Sequence, residues 1–250
     1  MAEAEAKHES RELTYIGAVV EAARTVLQEQ ETAFIAGEDV GGAGGVFGSY
    51  RGLQEEFGEE RIFDTPISEE GIVGLGVGAA ATGLRPIVDI MFMDFIGECM
   101  DEITNQMAKM RYMFGGSARL PITVITMSGA GINMAAQHSQ SLEAWLCHLP
   151  GLKVVAPSTP HDVKGLIISA ARDDNPVFVL LNKMSLGRRG EVPEEAYEVP
   201  LGQASIAREG SNLTIVTYSR MVHESVAAAE ELAGEGVDAE VIDLRSLQPM

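Results

Sequence analysis

Short apolar runs alternate with amphipathic helical segments along most of this chain, and that alternation constrains the fold more than any other feature. Ala33 to Ala36, Pro86 to Phe92, Pro121 to Met127, Leu152 to Ala156 and Val177 to Leu181 are runs of strand length, rich in Val, Ile and Phe. Between them lie segments with helical spacing or helix signals. Ile16, Val19, Val20, Ala23 and Leu27 mark one face of a helix from Leu13 to Gln30, with Thr14 placed to cap it. A second helix opens with Thr159 as cap, Pro160 at its first position and Asp162 in its first turn. Others are expected from Glu69, around Trp145, and as one long helix from Asp94 to the glycines at 115 and 116. Strands that alternate with helices fold as an α/β domain, a parallel sheet with helices on both faces.

After Val177 to Leu181 the pattern breaks. Residues 184–200 carry charges, glycines and prolines without apolar periodicity and read as a linker. Beyond it, Leu213 to Tyr218, Val222 to Ala233 and Ala239 to Leu244 read as strand, helix and strand, the start of a second α/β domain over 201–250. The domain before the linker spans 12–183. Residues 1–11 are polar and acidic, with no apolar or Arg-rich targeting stretch, and are expected to be a disordered tail that includes a solvated His8.

Charge and cysteine content narrow the function classes. With 37 Asp plus Glu against 18 Lys plus Arg, the formal net charge of -19 repels phosphate backbones and anionic lipid, so neither nucleic acid nor membrane is an expected partner. Two cysteines, Cys99 and Cys147, lie far apart without metal-ligand or redox spacing and are read as buried thiols of a cytoplasmic protein. No run reaches membrane-spanning length.

Motifs for nucleotide binding are missing. Gly74, Gly76 and Gly78 lie within a predicted helix, lack the third glycine of a dinucleotide fingerprint, and are better explained by close helix packing. There is no P-loop. Two polar stretches stand out instead. Asp64-Thr65-Pro66-Ile67-Ser68-Glu69-Glu70-Gly71 places carboxylates where a strand ends and a helix begins, a ligand-facing position in open α/β sheets. A plain alternative is that Ser68 caps the helix while Glu69 and Glu70 complement its dipole. Gln137-His138-Ser139-Gln140 lies in a loop too polar for core and too long for a simple turn.

Taken together, the stretch from Gly37 to Phe95 (GEDVGGAGGVFGSYRGLQEEFGEERIFDTPISEEGIVGLGVGAAATGLRPIVDIMFMDF), AAQHSQSLEAW, LPGLKVVAPSTPHDVKGLI, RDDNPVF, GEVPEEAYEVPLGQA and VIDLRSLQP resemble the beta subunit of 2-oxo acid dehydrogenases. This is the decarboxylating, thiamine-diphosphate-dependent component of pyruvate, branched-chain and acetoin dehydrogenase complexes. The resemblance implies a transketolase pyrimidine-domain fold followed by part of a transketolase-type C-terminal domain, which relatives continue beyond the segment where this chain ends. It implies a thiamine diphosphate shared with an alpha subunit, which binds the diphosphate and its magnesium, in an alpha2-beta2 heterotetramer. It also implies a lipoyl-bearing acyltransferase as acceptor and a 2-oxo acid or acetoin as substrate. The absence of Gly-Asp-Gly, which begins the family's diphosphate and magnesium site, agrees with that division.

By the same resemblance, Glu69 matches the glutamate that activates the cofactor at a pyrimidine nitrogen. Phe95 matches an aromatic packed on that ring, Ile67 lines its pocket, and Glu38 matches an acidic position linked to proton relay. His138 matches a histidine that transfers a proton during acyl handover. Asp173 and Asn175 fall where some relatives hold a structural potassium ion, with a plain turn as the competing reading. The segment Leu181-Asn182-Lys183-Met184 departs from the family, many relatives having an acidic residue just after that strand. Two rival readings are a single-chain transketolase-like enzyme and a non-catalytic assembly subunit.

Overall fold

The computed structural model describes residues 10–250. The tail expectation for residues 1–9, His8 included, lies outside the described residues. Ser10 and Arg11, assigned to the same tail, belong to a strand, β1 (Ser10–Thr14).

The first helix, α1 (Tyr15–Glu29), starts where the sequence signals it: the Thr14 hydroxyl accepts the Gly17 N–H at 3.0 Å. Its apolar face buries Tyr15, Ala18, Val19, Ala22, Ala23, Val26 and Leu27. The larger aliphatic side chains among them contribute roughly 1.5–3 kcal/mol each. Next come β2 (Ala33–Gly37), α2 (Leu53–Phe57), β3 (Ile62–Asp64), α3 (Glu69–Ala81) and β4 (Arg85–Phe92). The long helix expected after Asp94 is broken instead. A tight turn over Met93–Gly97, a wide-pitched stretch over Glu102–Met107 and a short α4 (Met110–Met113) replace it. Core packing overrides local helix preference here: the wide turn, in which the Ala108 N–H reaches the Ile103 carbonyl at 3.0 Å, buries both Met107 and Ala108. It also sets the Ala108 carbonyl against Gly151, where a Cβ would lie 2.0 Å from that oxygen.

The chain continues through β5 (Thr123–Ser128), α5 (Glu143–Cys147), β6 (Lys153–Val155), α6 (Pro160–Arg172) and β7 (Val177–Asn182). The Thr159 hydroxyl caps α6 by accepting the Asp162 N–H at 3.1 Å. The expected linker holds a further strand, β8 (Arg189–Pro193), paired antiparallel with β1. Lys164 of α6, fully buried, fastens it: its ammonium donates to Glu21 Oε1 and to the carbonyls of Pro193, Glu194 and Glu195 at 2.6–3.0 Å. Then follow β9 (Ser205–Arg208), β10 (Leu213–Thr217), α7 (Met221–Gly234), β11 (Ala239–Asp243) and β12 (Ser246–Gln248).

The main sheet has seven strands in the order β12-β6-β7-β5-β4-β2-β3. It is parallel except for β12, which pairs antiparallel with β6, so the sheet is mixed rather than purely parallel. Its two faces are covered separately, as the period-two geometry of strands requires. Ile87, Ile125, Val179 and Leu181 pack with α1 and α6, while Val88, Val124, Phe178 and Leu180 pack with α3 and the broken helical segment. A second sheet, β10-β11-β9, is backed by α7, and β12 ties it to the first. Both cysteines are free, Cys99 buried and Cys147 half-buried rather than fully enclosed.

Of the three glycines read as packing residues, Gly76 is one: a Cβ there would meet Ile122 Cδ1 at 2.6 Å and Val88 Cγ1 at 2.9 Å. Gly74 is in ordinary contact with Glu102, and at Gly78 nothing lies within 4 Å.

Candidate active site

The chain leaves β2 toward β3 on one side and returns to place β4 on the other. The carboxyl ends of β2 and β4 therefore flank a reversal in strand order, which is where open α/β sheets form ligand crevices. A cleft of about 590 Å³ opens at that point. Glu38 reaches it from the end of β2, Ile67 and Ser68 from the turn between β3 and α3, Glu69 and Glu70 from the first turn of α3, Met91 from β4, Phe95 and Glu98 from the segment just after β4, and His138 from the loop after β5. All five residues expected at the coenzyme, Glu38, Ile67, Glu69, Phe95 and His138, thus line one cavity.

Backbone geometry explains the close approach of these elements. A Cβ on Gly37 would lie 2.8 Å from the Asp89 carbonyl oxygen, so glycine lets β2 run close against β4 beneath the cleft. The Gly41 N–H donates to Asp64 Oδ1 at 2.7 Å and ties the glycine-rich loop to the end of β3. Ser68 stands at the cap position of α3 but makes no side-chain capping bond, so the plain reading of that serine fails. Glu69 and Glu70 do lie in the first turn.

Electrostatically the cleft is acidic. Among the described residues its lining contains Glu38, Glu69, Glu70 and Glu98 and no lysine or arginine. Burial raises the Glu38 carboxyl above its ordinary range, the charges of Glu69 and Asp39 raise it further, and the Ser68 backbone N–H partly opposes them. Its Oε1 is buried without a hydrogen-bond partner among the described residues. Behind Glu38 lies a group that sequence reasoning missed, Asp89. Burial pushes its carboxyl up to about 7, the Tyr50 hydroxyl, donating to Oδ2 at 2.6 Å, pulls it down, and the Glu38 charge adds to the rise. An aspartate in the middle of the apolar run Pro-Ile-Val-Asp-Ile-Met-Phe was the available signal.

The His138 ring meets Phe92 and Phe95 edge-on, with centroids 4.8 and 5.3 Å apart. Ile67 is 84% exposed, an aliphatic side chain presented to the cleft with no cover from the described residues. Two more missed residues hold the His138 loop: Asp94 Oδ1 accepts the Ser139 and Gln140 N–H groups at 3.1 and 3.0 Å, and Lys183 donates to the His138 carbonyl at 2.6 Å.

Asp173 and Asn175 lie away from this cleft and build a turn after α6. Asp173 Oδ1 accepts the Asn175 N–H and side-chain amide at 2.8 and 2.7 Å, and its other oxygen pairs with Lys153. Asn175 Oδ1 accepts from Arg111 at 2.9 Å. The side-chain oxygens of both residues thus serve the turn itself and its ties to Lys153 and Arg111.

Comparison with known proteins agrees with the geometry. Residues 11–188 match the family described as transketolase, pyrimidine binding domain, and 202–250 match transketolase, C-terminal domain. The chain is 49% identical over 241 residues to the pyruvate dehydrogenase E1 component subunit beta of Bacillus subtilis, covering 96% of this chain and 74% of that protein. It is 49% identical over 251 residues, with the same coverage, to the acetoin:2,6-dichlorophenolindophenol oxidoreductase subunit beta of Cupriavidus necator. It belongs to the transketolase-type dehydrogenase beta-subunit family. Among solved structures, a split gene transketolase described as an inactive beta4 tetramer superposes with a TM-score of 0.74 at 24% identity, covering 93% of this chain and 70% of that one, a likeness of fold.

This beta-subunit family is thiamine-diphosphate-dependent. The residues present fit one end of that coenzyme. A flat, basic heteroaromatic ring suits Phe95, the exposed Ile67 and a carboxyl-lined wall, and Glu38 has a buried oxygen without a hydrogen-bond donor. The diphosphate end finds no cation among the lining residues.

Proposed function

We propose that this chain is the beta subunit of a 2-oxo acid or acetoin dehydrogenase decarboxylating component. On this reading it holds the aminopyrimidine end of thiamine diphosphate, while an alpha chain in an alpha2-beta2 assembly holds the diphosphate and magnesium. The observation that carries the reading is the composition of the cleft at the strand-order reversal. Five residues of matching chemistry converge there, and a wall of carboxylates excludes phosphate from this half.

When bound, the coenzyme supplies a carbon nucleophile for the decarboxylation of a 2-oxo acid or the cleavage of acetoin. The work of this chain is to place groups around it. Glu69, at the first turn of α3, gives a carboxyl to a pyrimidine nitrogen and shares a proton with it. Glu38, its carboxyl raised by burial, stands behind Glu69 as a neutral donor or charged acceptor according to the protonation of its neighbour. Phe95 and Ile67 fix the plane of the ring by apolar contact at little entropic cost. His138 moves a proton at the substrate end during acyl transfer to a lipoyl group.

Glu69→Gln tests the reading. In the chain reconstituted with its alpha partner, 2-oxo acid-dependent dye reduction is expected to fall by at least about 10²-fold, since a general acid-base contribution is removed. The oligomer, measured by light scattering, is expected to be unchanged. Near-normal turnover would remove Glu69 from its role. Assays with pyruvate, 2-oxoisovalerate and acetoin identify the substrate.

A further inference from the structure

The loop that carries His138 has firm bonds of its own, the Ser139 hydroxyl donating to the Ala135 carbonyl at 2.6 Å and the Gly129 N–H to the Gln140 carbonyl at 3.0 Å, but neither is made by His138 itself. Asn133 and Ala135 both have φ of 58°, and Ala135 combines this with ψ of -169°, a conformation costly for a residue with a Cβ. The bond that His138 makes within the loop is long, its N–H reaching the Ala135 carbonyl at 3.5 Å. The firm contacts to the His138 carbonyl and to the two N–H groups after it come from outside the loop. The loop leaves the end of β5, and the strands on either side of β5 are β4 and β7. Asp94 lies two residues past β4 and Lys183 one residue past β7. Asp94 accepts the two N–H groups that follow His138, and Lys183 donates to the carbonyl of His138 itself. Lys183 is 3% exposed, with its ammonium 5.0 Å from the Phe92 ring that also touches the His138 imidazole. Burial lowers the lysine below its usual range and the Asp94 charge holds it up, so the two grips are electrostatically linked.

We propose that Asp94 and Lys183 are positioning residues for His138, gripping its backbone from the strands on both sides of β5 so that the imidazole is held at the cleft. The proposal rests on the reading of His138 as the group that moves a proton in acyl transfer. Neither residue touches the reacting atoms on this account. Each acts through the histidine.

Two measurements test it on Lys183→Met and Asp94→Ala, with Lys183→Arg and Asp94→Asn as variants that keep a donor or an acceptor. The first is histidine-labelled NMR of the chain without its partner or coenzyme. The His138 ring resonances are displaced by the ring currents of Phe92 and Phe95. They are expected to move toward the solvent-exposed position in Lys183→Met and Asp94→Ala and to stay near the native position in the conservative variants. Native resonances of His148, His161 and His223 report that the fold is kept. The second is the reconstituted enzyme. Transfer to a lipoyl group is expected to fall about 10²-fold in Lys183→Met and Asp94→Ala, the scale of a misplacement near 1 Å. Dye reduction should fall much less, and the conservative variants should recover transfer.

Unmoved His138 resonances in both disruptive variants overturn the grip. Native transfer in them while His138→Ala is impaired overturns the positioning role. Native transfer in His138→Ala overturns the reading of His138 itself, so the two failures are distinguishable.

Discussion

Asp89 makes the stability of this chain depend on pH in a direction opposite to the common salt-bridged aspartate, and Asp89→Asn exposes the effect. The folded carboxyl titrates near 7 because it is buried, and the ordinary value is 3.8. Between those two values the folded chain keeps a proton that the unfolded chain has released. Stability therefore falls as pH rises from about 4 to about 7, and the cost is constant above that range. At about 1.4 kcal/mol per pH unit, the full cost of ionising Asp89 in the fold is about 4 kcal/mol. The residue as a whole is not fully enclosed, which reduces the figure toward about 2–4 kcal/mol. Asparagine does not titrate, and its side-chain oxygen can still accept from the Tyr50 hydroxyl.

The variant should gain on the parent as pH rises. Because the pI is near 4.6, where the chain loses its mutual repulsion, the lower limit is better read at pH 5.5 than at pH 4. From there to pH 8.5, about half of the titration remains, and the stability difference between Asp89→Asn and the parent should widen by about 1–2 kcal/mol. For a chain of this size that is a Tm difference widening by roughly 2–8 °C. Urea denaturation at the two pH values measures it, and all other titrating groups cancel in the difference except those coupled to Asp89, chiefly Glu38. A difference that stays flat, or narrows, refutes the reasoning.

Two further substitutions probe the fold. Gly76→Ala forces a Cβ onto Ile122 and Val88 and should cost about 1–3 kcal/mol, whereas Gly78→Ala meets nothing within 4 Å and should be neutral or stabilising by up to about 1 kcal/mol, both read from thermal melts. Lys164→Met leaves Glu21 and three carbonyls without their shared donor and should destabilise by about 3 kcal/mol, with limited proteolysis cutting first between β7 and β9.

Where interactions are local, the sequence is a good guide to this fold. Thr14 and Thr159 start their helices as capping chemistry requires, and the strands with continuous apolar runs lie within a residue or two of their expected limits. What stayed hidden is non-local. The strand β1 (SRELT) and its partner β8 (RGEVP) are polar and become strands only by meeting each other and Lys164. β12 is three residues long and exists because β6 offers an edge. The break after Asp94 follows from burying Met107 and Ala108 together. At the candidate site, similarity to known enzymes singled out Glu69, Glu38, Ile67, Phe95 and His138. Asp94 and Lys183 were illegible because their task is to hold another loop, and nothing near them in sequence marks which loop that is.

The charge of the cleft leads to a last prediction about the coenzyme itself. Thiamine carries a positive thiazolium, and its diphosphate adds negative charge at the far end. Near four carboxylates with no lining cation, each pair of like charges about 8 Å apart costs roughly 2 kcal/mol at an effective dielectric of 20. The net charge of -19 deepens that field. In most cofactor sites the phosphates supply much of the affinity; in this chain without its partner they should subtract from it. Calorimetry on the free chain is therefore expected to show thiamine binding at least as tightly as thiamine diphosphate, with the gap closing as added salt screens the carboxylates. If thiamine diphosphate binds the free chain tenfold more tightly than thiamine, a cationic phosphate site exists within this polypeptide, and the division of the coenzyme between two chains is wrong.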